Sequence, residues 1–165
     1  MEKRLENTDL AALPAKKDEE DTDFVTAIKR HLDIKDVDAN MYSPLVLAYI
    51  GDCVYELVIR TFLVSKANTQ VNKLHKAASD MVKAHAQSDI AGVIGEILSE
   101  EEMSIYKRGR NAKSYTSAKN ATIGDYRRAT GFEALVGYLY LEGKYDRLME
   151  IIEFGLKKRE EENEI

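Results

Sequence analysis

The sequence predicts an all-α fold, and three observations carry that reading. Only two prolines and nine glycines occur in 165 residues, with no strand-like alternation, low-complexity block or internal repeat. Apolar residues recur three and four apart, the period of a helix face. Two helix starts are also spelled out. Ser43-Pro44 places a capping side chain before a proline at the first helical position, and Ser99-Glu100-Glu101-Glu102 is a capping box.

In chain order, residues 1–22 are polar, contain Pro14 and the run Asp18-Glu19-Glu20-Asp21, and are expected to form a disordered acidic leader. The body, 23–158, is expected to be one domain, with 159–165 a charged tail. Its first helix, over 23–33, spaces Phe24, Ile28 and Leu32 by four. The second runs from Pro44 to about Val64. A third, over 70–87, sets Val71, Leu74, Ala78, Met81, Val82 and His85 on one face, and a short apolar helix follows over 88–98. The capping box opens a helix through Tyr106. Residues 107–122 read as a loop, because Gly109, Asn111, Ser114, Thr116, Ser117 and Asn120 interrupt any periodicity. A helix over 126–141 stops at Gly143, and the last covers 144–158.

Net charge is −5, which argues against a nucleic-acid partner until it is divided along the chain. Residues 1–23 hold four basic and eight acidic groups, net −4, and 157–165 hold three and four, net −1. The rest is neutral overall. Within it, 107–128 carries seven basic groups against Asp125 alone, net +6. An acidic total thus hides a concentrated basic patch suited to a phosphate polymer. The single cysteine, Cys53, excludes an internal disulfide and any multi-cysteine metal site; it fits a reducing cytoplasm and reads as a small core residue. No signal peptide is visible. The apolar stretch 45–64 has the length of a membrane span, but Asp52, Glu56 and Arg60 form a polar stripe along it, so it reads as a buried helix of a protein with no membrane association.

Two carboxylates stand out. Asp52 lies mid-way along that helix, and Glu133 lies in the apolar run 129–140. An ionised carboxylate in such surroundings costs several kcal/mol unless a cation or donor compensates it. Two in the two most apolar helices point to a shared hard cation. The plainer alternative is that each pairs with a buried arginine or caps a turn. Glu56 and Arg60 are expected to pair with each other at four-residue spacing. Gly51, at about 1 kcal/mol against alanine inside a helix, implies close approach of another helix.

Ile50-Gly51-Asp52 and Phe132-Glu133-Ala134-Leu135 resemble the two signature segments of the ribonuclease III catalytic-domain family. The run from Tyr126 to Tyr140, with Leu74-His75-Lys76-Ala77-Ala78, looks like its short bacterial form, Mini-ribonuclease III. The resemblance covers about 40–158 and implies a ribonuclease III-like helical endonuclease domain. It implies a homodimer that hydrolyses both strands of double-stranded RNA, with Mg²⁺ held by Asp52 and Glu133 as catalytic residues. The implied substrate is the 23S ribosomal RNA precursor, with a ribosomal protein as a further candidate partner. Longer members carry two more acids, four before the aspartate and three before the glutamate; here those positions are Ala48 and Thr130. No double-stranded-RNA-binding domain follows in this sequence, so the grip on RNA is expected from Lys107, Arg108, Arg110, Lys113 and Lys119 in the loop, extended by Lys76 and Lys83. A non-catalytic RNA-binding or ribosome-associated module on the same fold is the alternative, against which the two retained acids argue.

Overall fold

The computed structural model describes residues 22–113 and 122–164, which divide into two compact units, one up to Asp36 and one from Val37 onward. The leader expected over 1–22 lies outside the described residues apart from its last position. In the first unit, α1 spans Phe24–His31. The Asp23 carboxylate accepts from the Thr26 backbone N–H at 3.0 Å and caps the free amides of its first turn.

The second unit holds a short 3₁₀ turn, Ala39–Met41, and six helices: α2 Pro44–Lys66, α3 Val71–Val82, α4 Ala84–Ile94, α5 Glu100–Asn111, α6 Ile123–Leu141 and α7 Tyr145–Asn163. Every regular element among the described residues is helical. None is long and apolar enough to cross a membrane. The caps form as the sequence specifies. Ser43 Oγ accepts from the Val46 N–H at 3.3 Å, and the Ser99–Glu102 box closes in both directions at 3.2 and 2.8 Å. Gly143 takes φ +70° and ends α6, with Lys144 N–H donating back to Leu139 at 2.9 Å.

α6 is the axis of the unit. Residues 129–132 and 134–139 are buried, so α6 is covered all round by α2, α4, α5 and α7. Two of its contacts are backbone to backbone. A Cβ on Gly51 would lie 1.7 Å from the Glu133 carbonyl oxygen, and one on Gly137 would lie 2.0 Å from that of Leu47. The approach that Gly51 implied is therefore that of α6. Tyr55 packs edge-on against Phe132 with ring centres 5.1 Å apart, locking the same crossing. α5 joins α7 through Glu102, 7% exposed, whose carboxylate accepts from Arg147 Nε at 2.8 Å.

Five expectations need correction. The helix expected over 70–87 breaks at Lys83, whose extended backbone (ψ 153°) closes α3 and opens α4. No glycine or proline marks the break. The Val82 carbonyl that it frees is taken by the Gln87 side-chain amide at 2.8 Å. His85 therefore belongs to α4, where Nδ1 lies 3.5 Å from Asp125, and α4 occupies 84–94 rather than 88–98. Lys107, Arg108 and Arg110 are in α5, not in a loop. Gly109 is no helix breaker: a Cβ there would meet Ala134 Cβ at 2.6 Å and Gly131 Cα at 3.0 Å, so it seats α5 on α6. Cys53 is exposed, because Gly51, Val54 and Tyr55 occupy the covered side of α2. The last helix also runs five residues past 158, to Asn163, with Arg159 Nε 3.4 Å from Asp89.

Candidate active site

The crossing of α2 and α6 decides where the two carboxylates go. With Gly51 seated on the Glu133 backbone, the next residue, Asp52, is placed beside the Glu133 side chain. Both side chains line one cleft, and the charge of Asp52 reaches the Glu133 carboxyl. Asp52 is exposed and Glu133 is half-buried, so neither acid is fully enclosed by its apolar neighbours as expected. Burial, and then the charge of Asp52, pushes the Glu133 carboxyl up to about 8; a hydrogen bond from Gln87 opposes this. No described lysine, arginine or histidine forms an ion pair with either acid, and neither caps a turn. The plainer alternative is absent among the described residues. Glu56 does pair with Arg60, its Nε donating at 2.9 Å, and leaves the Asp52–Glu133 pair uncompensated.

Both acids line an open cleft of about 440 Å³ with Leu45, Ala48, Tyr49, Cys53, Tyr126 and Thr130. Ala48 and Thr130, the positions where longer members carry acids, thus face the same space. The Thr130 hydroxyl donates to the Tyr126 carbonyl at 2.9 Å. Among the described residues no group of three or more acids, histidines or cysteines converges.

The N-terminal end of α6 is fixed separately. Thr122 Oγ1 accepts from the Asp125 N–H at 3.0 Å. Ser88 Oγ donates to Asp125 at 2.8 Å and accepts from Arg128 Nε at 2.7 Å. Hydrogen bonds from Ser88 first, then Thr122 and Arg128, hold the Asp125 carboxyl down at about 2. This network joins α4 to α6 and sets the rotation of the helix that presents Glu133.

The match is to a known catalytic domain. The profile of the Ribonuclease III domain family covers residues 45–144, from the first residues of α2 to just past the end of α6. The chain belongs to this family. It is an endoribonuclease domain. The Mini-ribonuclease 3 of Clostridium tetani is 54% identical over 128 residues, 77% of this chain and 85% of that protein. That of Enterococcus faecalis is 50% identical over 129 residues, 77% of this chain and 98% of that protein. A crystal structure of a protein from Fusobacterium nucleatum superposes with TM-score 0.67 at 33% identity, covering 74% of this chain and 98% of that one. The signature segments are therefore the ones that cross at Gly51 and build the cleft.

The cations expected to grip RNA lie apart from the cleft. Lys76, Lys83, Lys107, Arg108, Arg110 and Lys113 do not line the cleft, and Lys119 lies outside the described residues. Lys107 and Arg108 instead line an open groove of about 630 Å³ on α5 with Ser104 and Asn111. Arg110 turns away, 5.9 Å above the Tyr106 ring. Lys76 and Lys83 are exposed on and just after α3, the latter 3.7 Å from Asp80. One buried polar residue has no place in the sequence reading: Gln87, whose signal is a lone amide between Ala86 and Ile90 on an apolar helix.

Proposed function

We propose that this domain cuts double-stranded RNA in a Mg²⁺-dependent reaction, with Asp52 and Glu133 as the catalytic, metal-holding carboxylates. The observation that carries the reading is the pair itself: two acids from crossing helices face one cleft with no described cation paired to either. Their donor chemistry fits the ion. Mg²⁺ prefers oxygen ligands, keeps several waters and is often held by one or two carboxylates plus substrate phosphate. Held by Asp52 and Glu133, such an ion would supply a more acidic water and offset charge on the leaving 3′-oxygen. Hydrolysis then leaves 5′-phosphate and 3′-hydroxyl ends. The substrate we expect is the 23S ribosomal RNA precursor in the cytoplasm, with a ribosomal protein as a candidate partner on it. Duplex RNA incubated with the protein should be cut in Mg²⁺ and remain whole in EDTA; cutting in EDTA, or none in either, defeats the reading.

The second copy comes from α2. Leu45, Val46, Tyr49, Leu57 and Val64 are exposed along one face of this helix, with Cys53 among them. An apolar strip of that length on the second unit supports an isologous homodimer in which two clefts share one duplex. Light scattering should give twice the chain mass. A stable monomer at micromolar concentration counts decisively against it.

Phosphate attraction is assigned to Lys107 and Arg108 on ordered α5, with Arg110, Lys113, Lys119, Lys76 and Lys83 as further contacts. Replacing Lys107 and Arg108 by alanine should weaken binding to unrelated duplexes equally, since backbone contacts carry no base information. It should also flatten the log–log salt slope by about two. Fluorescence anisotropy in Ca²⁺ measures both, and an unchanged slope removes this groove from the RNA surface.

A further inference from the structure

Among the described residues the cleft is lined by three carboxylates, Asp52, Glu56 and Glu133, and by no lysine or arginine. An RNA strand adds one negative charge per phosphate, so cations at the rim must help to hold it there. Three arginines flank the cleft on the two helices that build it. Arg60 on α2 donates to Glu56 at 2.9 Å, and Arg128 on α6 donates to Ser88 at 2.7 Å and to Asp125 at 2.9 Å. Both are committed. Arg127 is exposed and makes no ion pair or hydrogen bond among the described residues. Asp125, two positions before it, does not face it; the acid pairs three positions on, with Arg128. Arg127 directly follows Tyr126 and lies three residues before Thr130, and both of these line the cleft. At 1.5 Å per residue it stands about 9 Å along α6 from Glu133.

We propose that Arg127 grips a backbone phosphate of the RNA strand that lies in the cleft, close to the phosphate that is cut. The inference rests on reading the Asp52–Glu133 cleft as the cutting site. A guanidinium presents a planar fork of N–H donors that fits a phosphate with two parallel hydrogen bonds. Such a contact carries no base information, so it fixes where the strand lies rather than which sequence is cut. The division of labour follows from position. Lys107 and Arg108, on their own groove of α5, draw the duplex to the protein, while Arg127, on the helix that carries Glu133, sets the cut strand over the acids.

Arg127→Gln and Arg127→Lys test this against Arg128→Gln. Duplex affinity is measured in Ca²⁺ by fluorescence anisotropy across salt concentrations, and melting is measured without RNA. A second series uses duplexes with one neutral methylphosphonate, placed one to three nucleotides to either side of the cut. Arg127→Gln should melt with the wild type, bind about two- to fivefold more weakly and lower the log–log salt slope by about one. Arg127→Lys should restore the slope but not the full affinity, since it keeps the charge and loses the fork. At one methylphosphonate position the wild type should weaken by a similar factor and Arg127→Gln should weaken no further. Arg128→Gln should instead lower melting. Wild-type affinity and slope in Arg127→Gln overturn the proposal, as do losses from Arg127→Gln and the methylphosphonate that simply add at every position. The wild-type series needs no variant: if no neutral position weakens binding, no phosphate is gripped beside the cut. If the wild type leaves duplex RNA whole in Mg²⁺, the cutting-site reading itself fails. If it cuts while Arg127→Gln binds as the wild type does, only the role of Arg127 fails.

Discussion

Glu133→Gln and Asp52→Asn are each expected to reduce cleavage of duplex RNA by at least about a thousandfold, equivalent to about 4 kcal/mol of transition-state stabilisation. Both variants should fold. For Glu133→Gln the fold should tighten, in a manner that depends on pH. The Glu133 carboxyl sits at about 8 in the folded chain against an ordinary 4.5. A raised folded value means that its contribution is full below about 4.5 and is lost as pH rises through about 8. The ionised form is then held against its burial and against Asp52, at a cost of up to about 5 kcal/mol and, given the open cleft, roughly 2–3. Melting in EDTA should show Glu133→Gln unchanged at pH 5 and several degrees more stable at pH 9. An equal gain at both values would show that no proton is held there. Cleavage at the wild-type rate in either variant, with Mg²⁺ as the sole metal, would remove the pair from the chemistry.

The second large effect concerns the crossing that makes the pair. Gly51→Ala and Gly137→Ala each put a methyl group within 2.0 Å of a backbone carbonyl oxygen on the facing helix. Neither carbonyl can rotate aside, because each belongs to a helical turn. Overpacking usually costs about 1–3 kcal/mol, and a contact with backbone belongs at or above the top of that range. Melting should fall by about 10 °C. Gly92→Ala is the control, since nothing lies within 4 Å of the added methyl. It should be neutral or stabilising by up to about 1 kcal/mol. Equal melting of Gly51→Ala and wild type would contradict the α2–α6 contact.

What was legible in the sequence were features whose cause is local or whose cost is large. Ser43-Pro44 and the Ser99 box fix helix starts within a few residues, and both form. Asp52 and Glu133 stood out because acids are rare in such apolar runs, and the cleft brings them together. Features set by the partner helix were not legible. Gly109 looked like a breaker, since its contact with Gly131 and Ala134 appears only when α5 meets α6. The break at Lys83 has no breaker residue, and its carbonyl is satisfied by a side chain five positions on. Cys53 resembles its apolar neighbours in composition; which side of α2 it takes is decided by where Gly51 and Tyr55 must go.

Glu102 serves two partners with one carboxylate: Oε2 accepts from the Ser99 N–H at the start of α5, while Oε1 and Oε2 accept from Arg147 on α7 at 2.8 and 3.0 Å. The first turn of α5 and its junction with α7 are thereby one thermodynamic unit. Changes at Ser99 and Arg147 will not sum; each removes support that the other shares, as groups in one hydrogen-bond network do. The helix that carries Lys107 and Arg108 is thus clamped at the end opposite to them. Arg147, on another helix and at the far end of α5, thereby governs how firmly those cations are held.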